Sequence, residues 1–251
     1  MAFLKSKFLL RRFSSLFTTT FLLATLHLLT GSEPSGDIRV IEVHGPPAVI
    51  VMADGSTPPI RVNDLVPPGS TVKTPADSSL KLLFANGAIL ILQPRSELRL
   101  TRFASKDALP MQTTTGHRLS ELSKSHTDLN LQSGAALLDV PPLKKESKFQ
   151  VTTPLGIAGI RGTRFYVSIR NDRAAVGVAE GLVITTSLIG ETQSLAAGQA
   201  IGLTAKGLTR ATAGETSYIR NLDAAFGTTR QLLKPSPAAT TKSRAGYQVS
   251  E

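Results

Sequence analysis

Glycine recurs at Gly156, Gly159 and Gly162, and Arg161, Thr163 and Arg164 flank the last of the three. Backbone amides in such a run can approach an anion, and a guanidinium can fork onto a carboxylate or phosphate. The run is nevertheless neither G-x-G-x-x-G nor a P-loop: no Gly-Lys-Ser/Thr follows and no helix opens after it. It reads as strand, turn, strand, with glycines serving turns or close strand approach. Arg161 is then expected to pin a neighbouring turn through backbone carbonyls, and Arg164 to point outward. His117, His126 and Asp128 are metal-capable types, but their spacing matches no metal site. Serines are plentiful without a Gly-x-Ser-x-Gly elbow, and Ser120, Ser123 and Lys124 lack partner motifs. Glu97, Asp128 and Asp139 fall on different predicted strands, whereas glycosidase chemistry needs two carboxylates about 5–9.5 Å apart. The residues thus call for no catalytic, cofactor or metal site, and the chain reads as a non-enzyme.

The elements that would position these residues belong to a chain of 251 residues, 41% hydrophobic, with no cysteine and no tryptophan. A core can form without disulfides, and a thiolate metal site or Cys nucleophile is excluded. The net charge is +10, of which Lys5, Lys7, Arg11 and Arg12 contribute four, leaving +6 for the rest. The remaining cations are dispersed, densest at Lys144, Lys145 and Lys148. Nucleic-acid binders concentrate charge and interleave aromatics, so no nucleic-acid partner is expected. If the basic surface binds a polyanion, an acidic envelope polymer or anionic lipid headgroup is the natural one.

The basic start is followed by the uncharged stretch 13–30, with an apolar heart from Phe21 to Leu29. This is the pattern of an export signal. Ser14, Ser15, Thr18, Thr19, Thr20, Thr25 and His27 dilute it, which favours cleavage, placed after Ser32, over retention as an anchor. Residues 1–32 are therefore a signal peptide or N-terminal anchor. Either way the remainder is exported to the periplasm or beyond, and meets a membrane only through residues 13–30 if these are uncleaved.

From Asp37 the chain is β-like. Leu80, Leu82 and Phe84 share a face before the turn Asn86-Gly87, Ala88–Leu92 is apolar on both faces, and Glu97–Thr101 alternates. Residues 104–127 are polar and aperiodic, a surface excursion. Strand patterns resume at Leu129–Leu131, Gly134–Val140, Phe149–Val151, Phe165–Ile169, Ala175–Val178, Gly181–Thr185 and Ala200–Leu203, with turns roughly every 8–15 residues. Two segments echo each other, Val72-Lys-Thr74-Pro75 and Val151-Thr-Thr153-Pro154, suggesting units of similar build. Ile219, Leu222, Phe226 and Leu233 approximate a helix face over 211–234, capped by Thr216 or Ser217. Residues 235–251 are low-complexity and expected to be disordered. The fold class is all-β, β-helix-like or sandwich-like, with one weak C-terminal helix; residues 37–210 form the domain.

The order of motifs carries a resemblance. Asn86-Gly87, Leu98–Leu100 and Gly134–Val140 precede Thr153-Pro154-x-Gly156, then Arg161-Gly162-Thr163-x-Phe165, Glu180-Gly181 and Gly198-Gln199. Over residues 37–205 this resembles the FecR-type periplasmic domain. The resemblance implies an all-β extracytoplasmic domain. In signalling members a cytoplasmic anti-sigma segment precedes one membrane helix, and the external part senses a TonB-dependent receptor. Here about a dozen residues precede the hydrophobic stretch, too few for such a segment. The chain is accordingly expected to be a stand-alone exported member, a non-catalytic binding or scaffold module. The alternative is a membrane-tethered periplasmic sensor, and a third a cell-envelope hydrolase. The motif residues are read as mainly structural, with partner contact through strand edges and the 104–127 loop. The partner is expected to be an envelope protein or polymer.

Overall fold

The computed structural model describes residues 36–107 and 121–226. The chain lays down β-hairpins alternately in two sheets. Strand β1 (Ile38–His44) lies in one sheet, here sheet B, and the hairpin β2 (Val49–Val51)–β3 (Thr71–Lys73) in the other, sheet A. The hairpin β4 (Ser79–Phe84)–β5 (Ile89–Leu92) returns to sheet B; β6 (Glu97–Ser105) and the first half of β7 (Ser125–Asp139) return to sheet A. The alternation then repeats: β8 (Lys148–Thr153)–β9 (Gly156–Ile160) in A and β10 (Arg164–Arg170)–β11 (Arg173–Glu180) in B. It ends with β12 (Leu182–Ser187)–β13 (Thr192–Ala196) in A and β14 (Ala200–Thr204)–β15 (Gly207–Arg210) in B. Each sheet keeps chain order from edge to edge. Sheet A runs β2-β3-β6-β7-β8-β9-β12-β13, and sheet B runs β1-β4-β5-β7-β10-β11-β14-β15.

Among the described residues every strand pairing is antiparallel except β7 with β8. The fold is all-β as expected, the two sheets joined through β7 into one nearly closed, barrel-like sheet, and the coil-like echo in the sequence is the hairpin alternation itself. Both Thr-Pro segments end sheet A strands: Thr74 Oγ1 donates to Gln93 O (2.6 Å), and Thr153 Oγ1 to Gly156 O (3.0 Å).

Strand β7 belongs to both sheets. Its N-terminal half pairs with β6 and β8, its C-terminal half with β5 and β10. The sequence reads as two strands there, but the backbone bends without breaking. The bend centres on Gly134 (φ +80°), where an added Cβ would lie 2.1 Å from Ser96 Oγ and 2.6 Å from Arg95 O. Strand pairing also extends into the expected polar excursion, with Ala104 opposite His126 and Ser105 opposite Ser125. The excursion is therefore shorter than 104–127, and residues 108–120 within it lie outside the described residues.

The inner faces of both sheets form one core, including Leu82, Phe84, Leu98, Leu131, Phe165 and Val183. Alternation puts neighbouring residues on the outer face. On sheet B that outer face is also apolar: Leu83, Ile89, Ile91, Leu137 and Tyr166 cluster with Ile219, Leu222 and Phe226. These last three arrive on the C-terminal helical segment: α1 (Ala213–Tyr218), a 3-10 turn (Ile219–Asn221) and helical residues 222–226. The expected apolar face is present, but the cap is Thr212, not Thr216 or Ser217. Thr212 Oγ1 accepts from Glu215 N (3.2 Å), and Glu215 Oε2 accepts from Thr212 N (2.7 Å), a reciprocal capping box. Leu233, residues 235–251 and residues 1–35 lie outside the described residues. Among the described residues no helix is long and apolar enough to cross a membrane.

Candidate interaction surfaces

The motif residues stand mostly where the chain changes sheets. Arg161, Gly162 and Thr163 carry it from β9 in sheet A to β10 in sheet B. Glu180 and Gly181 carry it back, and Gly198 and Gln199 take it forward again. The first two corners touch. Thr163, fully buried, exchanges backbone hydrogen bonds with Val140 (3.0 Å each), and its Oγ1 donates to Leu182 O (2.9 Å). Gly181 (φ +88°) lies so close to the neighbouring corner that a Cβ would sit 2.5 Å from Gly162 O. At the third corner Gly198 N donates to Val178 O (2.8 Å), Val178 N to Gln199 O (2.9 Å), and Ala196 N to Gln199 Oε1 (2.8 Å). Thr153, Pro154 and Gly156 form the β8–β9 turn, where Leu155 N donates to Thr153 Oγ1 (3.2 Å), and Phe165 is a core residue. Arg161 is exposed, and its Nη1 reaches Lys145 O (3.4 Å).

Arg164 does not point outward. It is 5% exposed and faces three carboxylates: Asp139 (3.4 Å), Glu180 (3.4 Å) and Asp223 of the helical segment. Burying a guanidinium without counter-charge is costly, so an inward arginine at a corner needs this acidic surround. Asp223 lies 59 residues away, which is why sequence spacing could not reveal the cluster.

A second polar assembly is also non-local. Arg173 Nε and Nη2 donate to Glu215 Oε1 (2.7 Å) and Oε2 (2.9 Å), while Nη1 donates to Thr209 Oγ1 (2.7 Å). The hydrogen bond from Arg173 holds the Glu215 carboxyl below its ordinary value, against partial burial, and the same bond raises the Arg173 guanidinium. Tyr166 OH donates to Glu215 O (2.7 Å); burial first, then the Glu215 charge, push its phenol well above the ordinary value. Beside this clamp lies a cavity of about 550 Å³ with Ala135, Ser168 and Ala175 among its small lining residues, and Tyr166 and Tyr218 among its aromatic ones.

A third assembly ties the ends of β6 and β7 to the β8 approach. Buried Glu121 accepts from Ser125 Oγ, from Ser147 Oγ (2.7 Å) and from Lys144 N (2.7 Å). Asn86 Nδ2 donates to Ser125 Oγ (3.0 Å), so the Asn-Gly turn is anchored as well as bent. His126 Nε2 meets Asp128 Oδ2 at 3.0 Å. Among the described residues no three metal-capable side chains gather; His117 lies outside them.

Sheet A differs from sheet B in what covers it. Its outer face presents Ile157, Leu182 and Ile184 at 42–47% exposure, and the β12–β13 turn adds Leu188 and Ile189. Beside them β13 is an edge strand, with Thr192, Gln193, Ser194 and Ala196 exposed. It carries no charge and no proline, the features that commonly block an edge.

The family model described as FecR protein matches residues 70–184, from just before β3 into β12. The chain carries a FecR domain there, which contains the motif residues from Thr153 to Gly181; Gly198 and Gln199 follow it. No curated relative matches the chain by sequence. Two crystal structures described as a candidate anti-sigma factor from Parabacteroides distasonis are similar at 16% identity, with TM-scores of 0.44 and 0.41. Each covers 59% of this chain, which in turn spans 62% of that one.

Proposed function

We propose that this chain is an exported FecR-type binding module of the bacterial envelope that receives an extended segment of a protein partner along β13. The observation that carries this reading is the uncharged β13 edge beside exposed apolar side chains. An added strand gains main-chain hydrogen bonds there, and side-chain contacts supply selectivity. The small outward residues Thr192, Ser194 and Ala196 keep the approach to Ile184 and Leu182 open. The FecR match supports an envelope location.

The test uses the lack of native cysteine. Ser194→Cys carrying a photo-crosslinker should capture a partner in envelope extracts, and a Thr192→Pro change in the same protein, which removes an outward-facing edge N–H, should abolish capture. Equal capture from a label at Lys206→Cys, in the β14–β15 turn, would remove the edge from consideration. The FecR match also favours a second reading, a membrane-tethered sensor in a FecR-type signalling pathway. N-terminal sequencing of the mature protein separates the two, because cleavage near Ser32 removes the tether.

A further inference from the structure

The outer face of sheet A joins two chemistries on one surface. Strand register sets out three rows across β7, β8, β9, β12 and β13. The first is Asn130, Thr152, Ile157, Thr186, Thr192; the second is Asp128, Gln150, Gly159, Ile184, Ser194. The third begins at His126 and Lys148, continues to Arg161 just past β9, and ends at Leu182 and Ala196. Lys148, Arg161, Leu182 and Ile184 are all exposed, as are Lys144 and Lys145 in the loop leading to β8. The nearby acids do not cancel this charge. Glu180 engages Arg164, and Asp128 and Glu146 are two carboxylates against the four cations Lys144, Lys145, Lys148 and Arg161.

We infer that this face docks on an anionic phospholipid bilayer, with Lys144, Lys145, Lys148 and Arg161 at the headgroup phosphates and Ile157, Leu182 and Ile184 at the acyl boundary. Charge complementarity selects an anionic surface. The exposed apolar side chains, one in each row, select a bilayer over a soluble polyanion, which would use the cations and leave these side chains in water. Among the described residues sheet B has no equivalent surface, because the helical segment packs over its outer face. The inference shares Leu182 and Ile184 with strand addition at β13 but turns on the four cations and Ile157, which strand addition does not use.

The experiment is sedimentation of the full chain with vesicles of phosphatidylcholine alone or mixed with phosphatidylglycerol. The readout is the gain in bound fraction on anionic over neutral vesicles, compared between variants that share the same residues 1–32, so the basic start and residues 13–30 contribute equally to each. Lys145→Glu with Lys148→Glu should cut that gain by about tenfold or more. Leu182→Ser with Ile184→Ser should leave binding that 0.5 M salt abolishes, whereas the native chain keeps a salt-resistant part. Lys206→Glu, on a sheet B turn, should change nothing. No gain on anionic vesicles, or equal loss in Lys206→Glu, overturns the inference. Retained salt-resistant binding after the serine changes overturns it too, because the membrane-inserted part then lies elsewhere in the chain. Matching thermal melts confirm that the variants fold. Crosslinking from position 194 should persist in Lys145→Glu/Lys148→Glu, so the two surfaces fail separately.

Discussion

A methyl group at position 181 has nowhere to go. Gly181 and Gly190 share nearly the same backbone, φ +88° and +85°, but an added Cβ meets Gly162 O at 2.5 Å in one case and open space in the other. Positive φ alone costs an L-residue about 1–2 kcal/mol, and overpacking adds roughly 1–3 kcal/mol. Gly190→Ala should therefore show only the first loss in urea denaturation and Gly181→Ala both; equal losses would mean the corners yield without strain. The Arg173–Glu215 pair makes a second residue-scale prediction. The Glu215 carboxyl lies below its ordinary 4.5 in the fold, so its stabilisation is present above that pH and is lost as pH falls through the folded value. Glu215→Gln should be less stable at pH 7 and show a shallower decline between pH 5 and 3. An unchanged slope would assign the acid sensitivity to other carboxylates.

Elements were legible where the signal was local. The Asn86-Gly87 turn, the buried run at Ile89–Leu92 and the Ile219–Leu222–Phe226 face could be read because each lies within one hairpin or one helical segment. What depends on non-local pairing was not legible. Arg164 carries no sequence mark of Asp223, and Glu121 none of Ser147. Strand β7 read as two strands because Gly134 looks like a terminator, although here it is a hinge in continuous backbone. The helix start was misplaced because Thr212, Thr216 and Ser217 are all competent caps; only Thr212 also has Glu215 three residues on. As an element the helical segment acts chiefly through its cover of sheet B. Leu222 and Phe226 are fully buried, so Leu222→Ala should cost about 2–5 kcal/mol and Phe226→Ala about 3–5 kcal/mol. The aromatic near-ultraviolet signal should fall with them, since Tyr166 and Tyr218 stack edge-to-face at 4.9 Å under this cover. Losses below 1 kcal/mol would show that the cover is loosely held.

At the scale of the molecule, hairpin alternation decides how the fold comes apart. Each hairpin is joined to the next through a corner that switches sheets, β7 runs through both sheets, and one core lies between them. Neither sheet can open alone without exposing the inner face of the other, so unfolding should be a single cooperative event. The chain supplies its own probe, because tryptophan is absent and two of its three tyrosines, Tyr166 and Tyr218, lie on the sheet B side. Tyrosine signal therefore reports sheet B and its cover, while amide exchange of β8, β9 and β12 reports sheet A. In urea the two should share one midpoint. Gly134→Ala, which strains the hinge of the shared strand, should lower both together by the same increment. If tyrosine signal is lost first while sheet A amides stay protected, the helical cover and sheet B form a separable layer. The outer face of sheet A would then be carried by a body that can loosen on its far side without releasing a bound partner.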